Sequence, residues 1–135
     1  MTTIDLSYES AWTVAAKGKE RHARIGLPPD SPFGNEQVNI TVLCKDGVFS
    51  QQDRDHAQHR AEGMVQYLEK SVGRMMRNLG LKSIRAFIAE HGKPSVMIIG
   101  GDKTHWSVSF QHRVRGVSYF CDWKEEEIVR FWTAH

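Results

Sequence analysis

Hydrophobic and polar residues alternate most regularly in residues 104–123, and this alternation predicts a half-buried β-hairpin. A two-residue turn at Arg115-Gly116, where glycine supplies a positive φ, pairs His112 with Tyr119 and Val108 with Trp123. Because directly paired residues share a face, one face is apolar and consists of Trp106, Val108, Phe110, His112, Val114, Val117, Tyr119, Cys121 and Trp123. The opposite face is mostly polar and consists of His105, Ser107, Ser109, Gln111, Arg113, Ser118, Phe120 and Asp122. A slip of one residue would expose the aromatic side chains, so the pattern specifies which face is buried.

Shorter alternating segments predict further strands along the chain. We expect strands at residues 4–8, 12–16, 21–27 and 38–44. A nearly continuous apolar run at residues 95–99 indicates one more, buried strand. The intervening proline-rich segment is expected to form a loop, because proline lacks the amide donor that a strand uses.

Helical periodicity appears in the middle of the chain and at its end. Apolar residues at three- and four-residue spacing predict one long helix over residues 57–79, capped by Gly80. A second, short helix is expected over residues 84–88 and stops before Gly92. A C-terminal helix is expected after Asp122, with glutamates in its first turn and an apolar side formed by Ile128, Phe131 and Trp132.

These elements predict an α+β fold, in which one long helix, one short helix and a C-terminal helix pack on one face of an antiparallel β-sheet. The length of 135 residues fits a single domain spanning residues 1–135, and 40% hydrophobic residues argue against disorder. The net charge of +2 gives no global argument for nucleic-acid binding. We expect a cytoplasmic protein without a membrane partner, because the chain shows neither a signal-peptide pattern nor a run of roughly 18 apolar residues.

The outer face of the long helix is the main candidate for a binding site. Between Lys70 and Ala89 the chain carries five basic residues and no acidic one. The candidate anion- or partner-binding residues are His59, Tyr67, Lys70, Arg74, Arg77, Lys82 and Arg85. An ordinary solvated helix face is the alternative interpretation of the same pattern.

Two other patterns bear on metal and phosphate binding. His56 and His59 lie one helical turn apart, but a zinc site needs three or four ligands and the pattern is not the metalloprotease one. Gly100-Gly101 precedes a strand rather than a helix, which favours a hairpin turn over a phosphate loop. We therefore expect no metal and no cofactor.

The segment His105-Trp106-Ser107-Val108 places a histidine and a hydroxyl on the same side of a strand. It resembles the H-x-[ST]-h element of the two-histidine phosphoesterases, and the resemblance implies phosphodiester hydrolysis by two such elements across a cleft. The only partner that the sequence offers is His22-Ala23-Arg24-Ile25, in which Arg24 replaces the hydroxyl. The two cysteines are expected to be buried thiols rather than nucleophiles.

Three functional classes remain open from the sequence. The favoured class is a small non-enzymatic binding protein, because no set of catalytic residues is complete. Such a protein would be an inhibitor, adaptor or accessory factor with a protein partner. A nucleic-acid-binding module would use the basic helix face, with Arg113 and Arg115 as helpers. A small phosphodiester hydrolase would use His105 and His22. A homodimer is also open, because Trp132 near the end of the chain suits a subunit interface.

Overall fold

In a computed structural model that describes residues 5–135, the chain forms one seven-stranded sheet and three α-helices. The strands are β1 (Thr13–Ala15), β2 (Glu20–Gly26), β3 (Gln37–Leu43), β4 (His91–Ile99), β5 (His105–His112), β6 (Ser118–Lys124) and β7 (Glu127–Ala134). The helices α1 (Gln51–Glu62), α2 (Met64–Leu79) and α3 (Ile84–Glu90) lie between β3 and β4. The predicted α+β fold with a mostly antiparallel sheet is confirmed.

The strands lie in the sheet in the same order as in the sequence. All neighbouring strands are antiparallel except β3 and β4, which are parallel because the three helices form the crossover between them. Val38, Ile40 and Val42 of β3 are fully buried, whereas Gln37 and Asn39, which alternate with them, are exposed. This period of two shows that the sheet has a covered face and an open face.

The predicted long helix is two helices, because the chain breaks at Gly63. Gly63 has non-helical backbone angles and separates α1 from α2, so a single wheel does not describe the apolar stripe. Gly80 ends α2 in the left-handed conformation, as predicted. Within residues 5–135, no helix is both long enough and apolar enough to cross a membrane.

The predicted C-terminal helix is wrong, and residues 127–134 form the edge strand β7 instead. A bulge at Val129 puts Ile128 opposite Trp123 and Phe131 opposite Cys121, both on the covered face. Because of the bulge, Ile128 and Phe131 share a face although they are three residues apart, and this spacing is the one that indicated a helix in the sequence. Asp122 lies inside β6 rather than at a helix N-cap.

The hairpin of β5 and β6 forms with a register that differs by two residues from the predicted one. Phe110 pairs with Tyr119, and the His112 amide donates to Val117 across a four-residue loop, residues 113–116. A shift of two keeps every strand residue on its predicted face. Val114, which the sequence pattern placed on the apolar face, lies in the loop rather than in a strand and is 90% exposed.

The predicted strand at residues 4–8 is not formed in the part that the structure describes, and Ile4 lies outside that part. Residues 5–8 form turns, and Leu6 is fully buried. The Leu6 carbonyl accepts from the Trp12 indole, and its amide donates to Gln58 of α1. These contacts satisfy the backbone groups that a strand partner would otherwise satisfy.

Candidate partner-binding surface

The predicted basic helix face is divided in the structure, because part of it packs against the turn between β6 and β7. Glu126 of this turn accepts from the Tyr67 hydroxyl at 2.6 Å, from Arg60 Nη1 at 2.8 Å, and pairs with His59 Nε2 at 3.3 Å. Tyr67 is only 7% exposed, so its ring belongs to the core rather than to a docking surface. Lys70 lines a groove of about 460 Å³ together with Glu126 and Glu127.

Arg60 is the centre of this network and is only 3% exposed. Its guanidinium donates to His56 Nε2 and to the Tyr67 hydroxyl, and it lies 4.5 Å from the centre of the Trp106 ring. A buried cation is tolerated when it is paired and hydrogen-bonded, and here the carboxylate comes from 66 residues further along the chain. The pair of His56 and His59 therefore takes part in this network.

We expect the stability that Glu126 contributes to be lost in acid. The Tyr67 hydroxyl, together with Arg60, holds the pKa of Glu126 at about 2, below its usual value of 4.5. A carboxyl group whose pKa is lower in the folded state than in the unfolded state stabilises the fold at any pH above its unfolded-state pKa. This stabilisation is lost as the pH falls through the folded-state pKa. The melting temperatures of wild type and Glu126→Gln should differ at neutral pH and converge near pH 2. A difference that stays constant over this range would contradict the prediction.

The remaining predicted residues lie in α2, in the connection between α2 and α3, and in α3. Arg77, Lys82 and Arg85 are exposed, and Arg74 is half-buried with its Nε lacking a hydrogen-bond partner. Within residues 5–135, none of these four forms an ion pair with an acidic side chain. Their charge is therefore available to a partner.

The loop between β5 and β6 adds a further cation to this end of the molecule. Arg113 donates to the Ile88 carbonyl near the end of α3, which fixes the loop beside that helix. Arg115 is exposed and lines the same small cavity as Leu79 and Leu81, the neighbours of the end of α2. We call Arg77, Lys82, Arg85 and Arg115 the basic surface.

A cavity of about 150 Å³ opens between these elements and is lined by Leu79, Leu81, Glu90, His91, His112, Arg115 and Tyr119. His91 is 2% exposed, and its Nδ1 donates to the Phe87 carbonyl at 2.9 Å. Its Nε2 is buried and has no hydrogen-bond partner. Burial lowers the pKa of His91, so Nε2 carries a lone pair at neutral pH. The sequence interpretation placed His112 in the core and did not consider His91.

The histidine pair of the hydrolase hypothesis is not brought together. His22 lies in β2, where its ring contacts Thr41 and Glu20, and His105 at the start of β5 contacts Asp102. Three strand spacings of about 4.8 Å separate β2 from β5, which places the rings roughly 14 Å apart or more. Burial raises the pKa of Cys121 to about 12, so this thiol is not a nucleophile at neutral pH.

Trp132, on which the homodimer hypothesis depends, is engaged within its own chain. Its indole N–H donates to Asp122 at 3.0 Å, and its ring stacks on Phe120 with centroids 4.1 Å apart. The homodimer stays a prediction, which light scattering of the purified protein checks.

No family model, no curated protein and no solved structure matches the chain. The functional conclusions below therefore rest on the geometry and charge of the described residues.

Proposed function

We propose that this protein is a non-enzymatic binding protein that docks an acidic patch of a partner protein on the basic surface. The observation that carries the proposal is that Arg77, Lys82, Arg85 and Arg115 are all exposed and that none of these four forms an ion pair with an acidic side chain within residues 5–135. Uncompensated charges of one sign attract a partner of the opposite sign and orient its approach.

A protein partner fits this surface better than nucleic acid does. Leu81 and Ile84 are half-buried and lie next to Lys82 and Arg85 in the sequence, so apolar area and cations are interleaved. Protein interfaces combine an apolar centre with a polar rim and are enriched in arginine. Binding to nucleic acid depends mainly on many contacts between cationic side chains and phosphates. A chain with a net charge of +2 has little excess positive charge for such contacts.

The test compares two charge-reversal variants with the same change in net charge. The first, Lys82→Glu with Arg85→Glu, alters the basic surface. The matched control, Lys103→Glu with Lys124→Glu, alters exposed lysines at the other end of β5 and β6. Binding of a fluorescent poly-glutamate peptide and of a fluorescent single-stranded RNA is measured by anisotropy at low and at physiological salt.

We expect wild type and the control to bind the acidic peptide alike, and the first variant to bind at least about tenfold more weakly, which is 1.4 kcal/mol. Equal peptide affinity of all three proteins would overturn the proposal. A different outcome is that wild type binds the RNA more tightly than the peptide, that this binding weakens steeply with salt, and that only the first variant loses it. This outcome would indicate that the partner is nucleic acid rather than protein.

A further inference from the structure

The geometry points to a zinc site formed by Glu90, His91 and His112, an assignment that the sequence did not suggest. One ligand atom from each of these residues lies within 4.8 Å of the other two. Two imidazoles and one carboxylate, with a fourth position left open, are a ligand set that proteins use for catalytic zinc. The inference does not depend on the proposed function.

The fold brings the two histidines together by strand pairing. His91 begins β4 and His112 ends β5, and the two residues are direct partners in the antiparallel ladder. Direct partners share a face, with Cβ atoms roughly 5 Å apart. Their rings meet edge to face with centroids 5.0 Å apart, and Glu90 is supplied by the last residue of α3.

His91 is already oriented as a zinc ligand. Metal-bound histidines usually donate their second ring N–H to a backbone carbonyl or a carboxylate, which fixes the tautomer and the ring. Nδ1 of His91 donates to the Phe87 carbonyl, and the ring is held by stacking on Phe87 with centroids 4.2 Å apart. The lone pair is therefore on Nε2, which is buried without a partner. A buried polar atom without a partner is costly, and ligation would satisfy it.

The other two ligands have the freedom to close around an ion. Ligand atoms of a tetrahedral zinc ion lie roughly 3.3 Å apart, so the present separations, which are at most 4.8 Å, must shrink by up to about 1.5 Å. Glu90 is exposed, and His112 adjoins the exposed loop of residues 113–116. Both side chains can move toward the fixed Nε2 of His91.

Ligation by His112 has a consequence for the loop. Its Nδ1 now accepts from the amides of Val114 and Arg115, at 3.2 and 3.0 Å. If Nδ1 binds zinc, it can no longer accept these bonds, and if Nε2 binds zinc, Nδ1 carries the proton. In either case both amides lose their acceptor and turn to water, because the loop is exposed.

Arg115 and Tyr119 line the cavity beside the three ligands, and no hydrogen bond within residues 5–135 engages either side chain. Zinc together with the Glu90 carboxylate leaves one net positive charge beside the Arg115 guanidinium, which disfavours the ion unless a further negative ligand accompanies it. The fourth zinc ligand is therefore expected to be an anion or a hydroxide that also accepts a hydrogen bond from Arg115.

The experiment titrates the chelator-treated chain of residues 1–135 with zinc by calorimetry and with cobalt by visible absorption. We expect one ion per chain and the intense visible bands of tetrahedral cobalt. Glu90→Gln and His112→Asn should each weaken zinc binding by at least about 100-fold, since even outer-shell changes reach that size. His105→Asn is the matched control and should bind zinc like wild type, because its ring contacts Asp102 away from the cavity.

Glu90→Gln changes an exposed residue and is expected to fold, which circular dichroism checks, so the test does not depend on altering buried His91. A second measurement follows the amide resonances of Val114 and Arg115, which should shift on zinc addition in wild type but not in His112→Asn. Absence of zinc binding, or zinc binding that survives in both ligand variants, would overturn the site. Lys82→Glu with Arg85→Glu should bind zinc normally, so failure of the partner-binding proposal leaves this result intact.

Discussion

Replacing Leu68 by alanine is expected to lower the free energy of unfolding by about 2–5 kcal/mol. Leu68 is fully buried in α2, the helix that packs across β5 and β6. The variant loses the transfer free energy of the removed methyl groups and leaves a cavity, because Val72 and Met75 beside it are fully buried as well. Urea unfolding followed by circular dichroism measures the loss.

Val114→Ala is the matched control for this prediction, because Val114 is 90% exposed in the β5–β6 loop. Its free energy of unfolding should lie within about 0.5 kcal/mol of the wild-type value. A Leu68→Ala variant as stable as this control would show that α2 does not cover the sheet.

Gly100→Ala is expected to cost about 1–3 kcal/mol, as for side chains forced into a well-packed site. A Cβ atom on Gly100 would lie 2.5 Å from the Leu43 carbonyl oxygen and 2.9 Å from the Lys45 amide nitrogen. Both are backbone atoms, and the Gly100 amide donates to the same carbonyl at 2.7 Å. The end of β4 would have to move away from β3 to admit the methyl group, so thermal and urea unfolding should both show the loss.

Gly116→Ala provides the control for the Gly100 variant. No atom lies within 4 Å of a Cβ placed on Gly116, and its φ is not positive. The substitution should be neutral or stabilise by about 0.4–1 kcal/mol, because alanine restricts the unfolded chain. Equal losses at both glycines would indicate that the contact at Gly100 is not the cause. Gly116 thus does not adopt the positive φ that the expected two-residue turn requires, in keeping with the four-residue loop that forms instead.

In most elements the sequence pattern predicted which residues are buried. The alternation in β3, β5 and β6 identified the covered face, and the apolar stripe identified Leu68, Val72 and Met75 of α2. Both patterns repeat over a few residues, and burial must follow the strand or helix period wherever one face meets a core. An error of two residues in the hairpin register leaves the faces unchanged, so the pattern could not reveal it.

Which distant residues contact one another could not be predicted from the sequence pattern and depends on the way the elements pack. The helix interpretation of residues 127–134 failed because one bulge at Val129 changed the strand period. The face assigned to Tyr67 was wrong because its ring packs edge to face against Trp106 and Trp123, which the helix pattern could not place beside it. Glu126 reaches Tyr67 across 59 residues, and His91 meets His112 only because β4 and β5 pair in one register. Hydrophobic periodicity reports the face that a residue takes, but the partners on that face depend on strand order, bulges and helix breaks, which long-range packing selects.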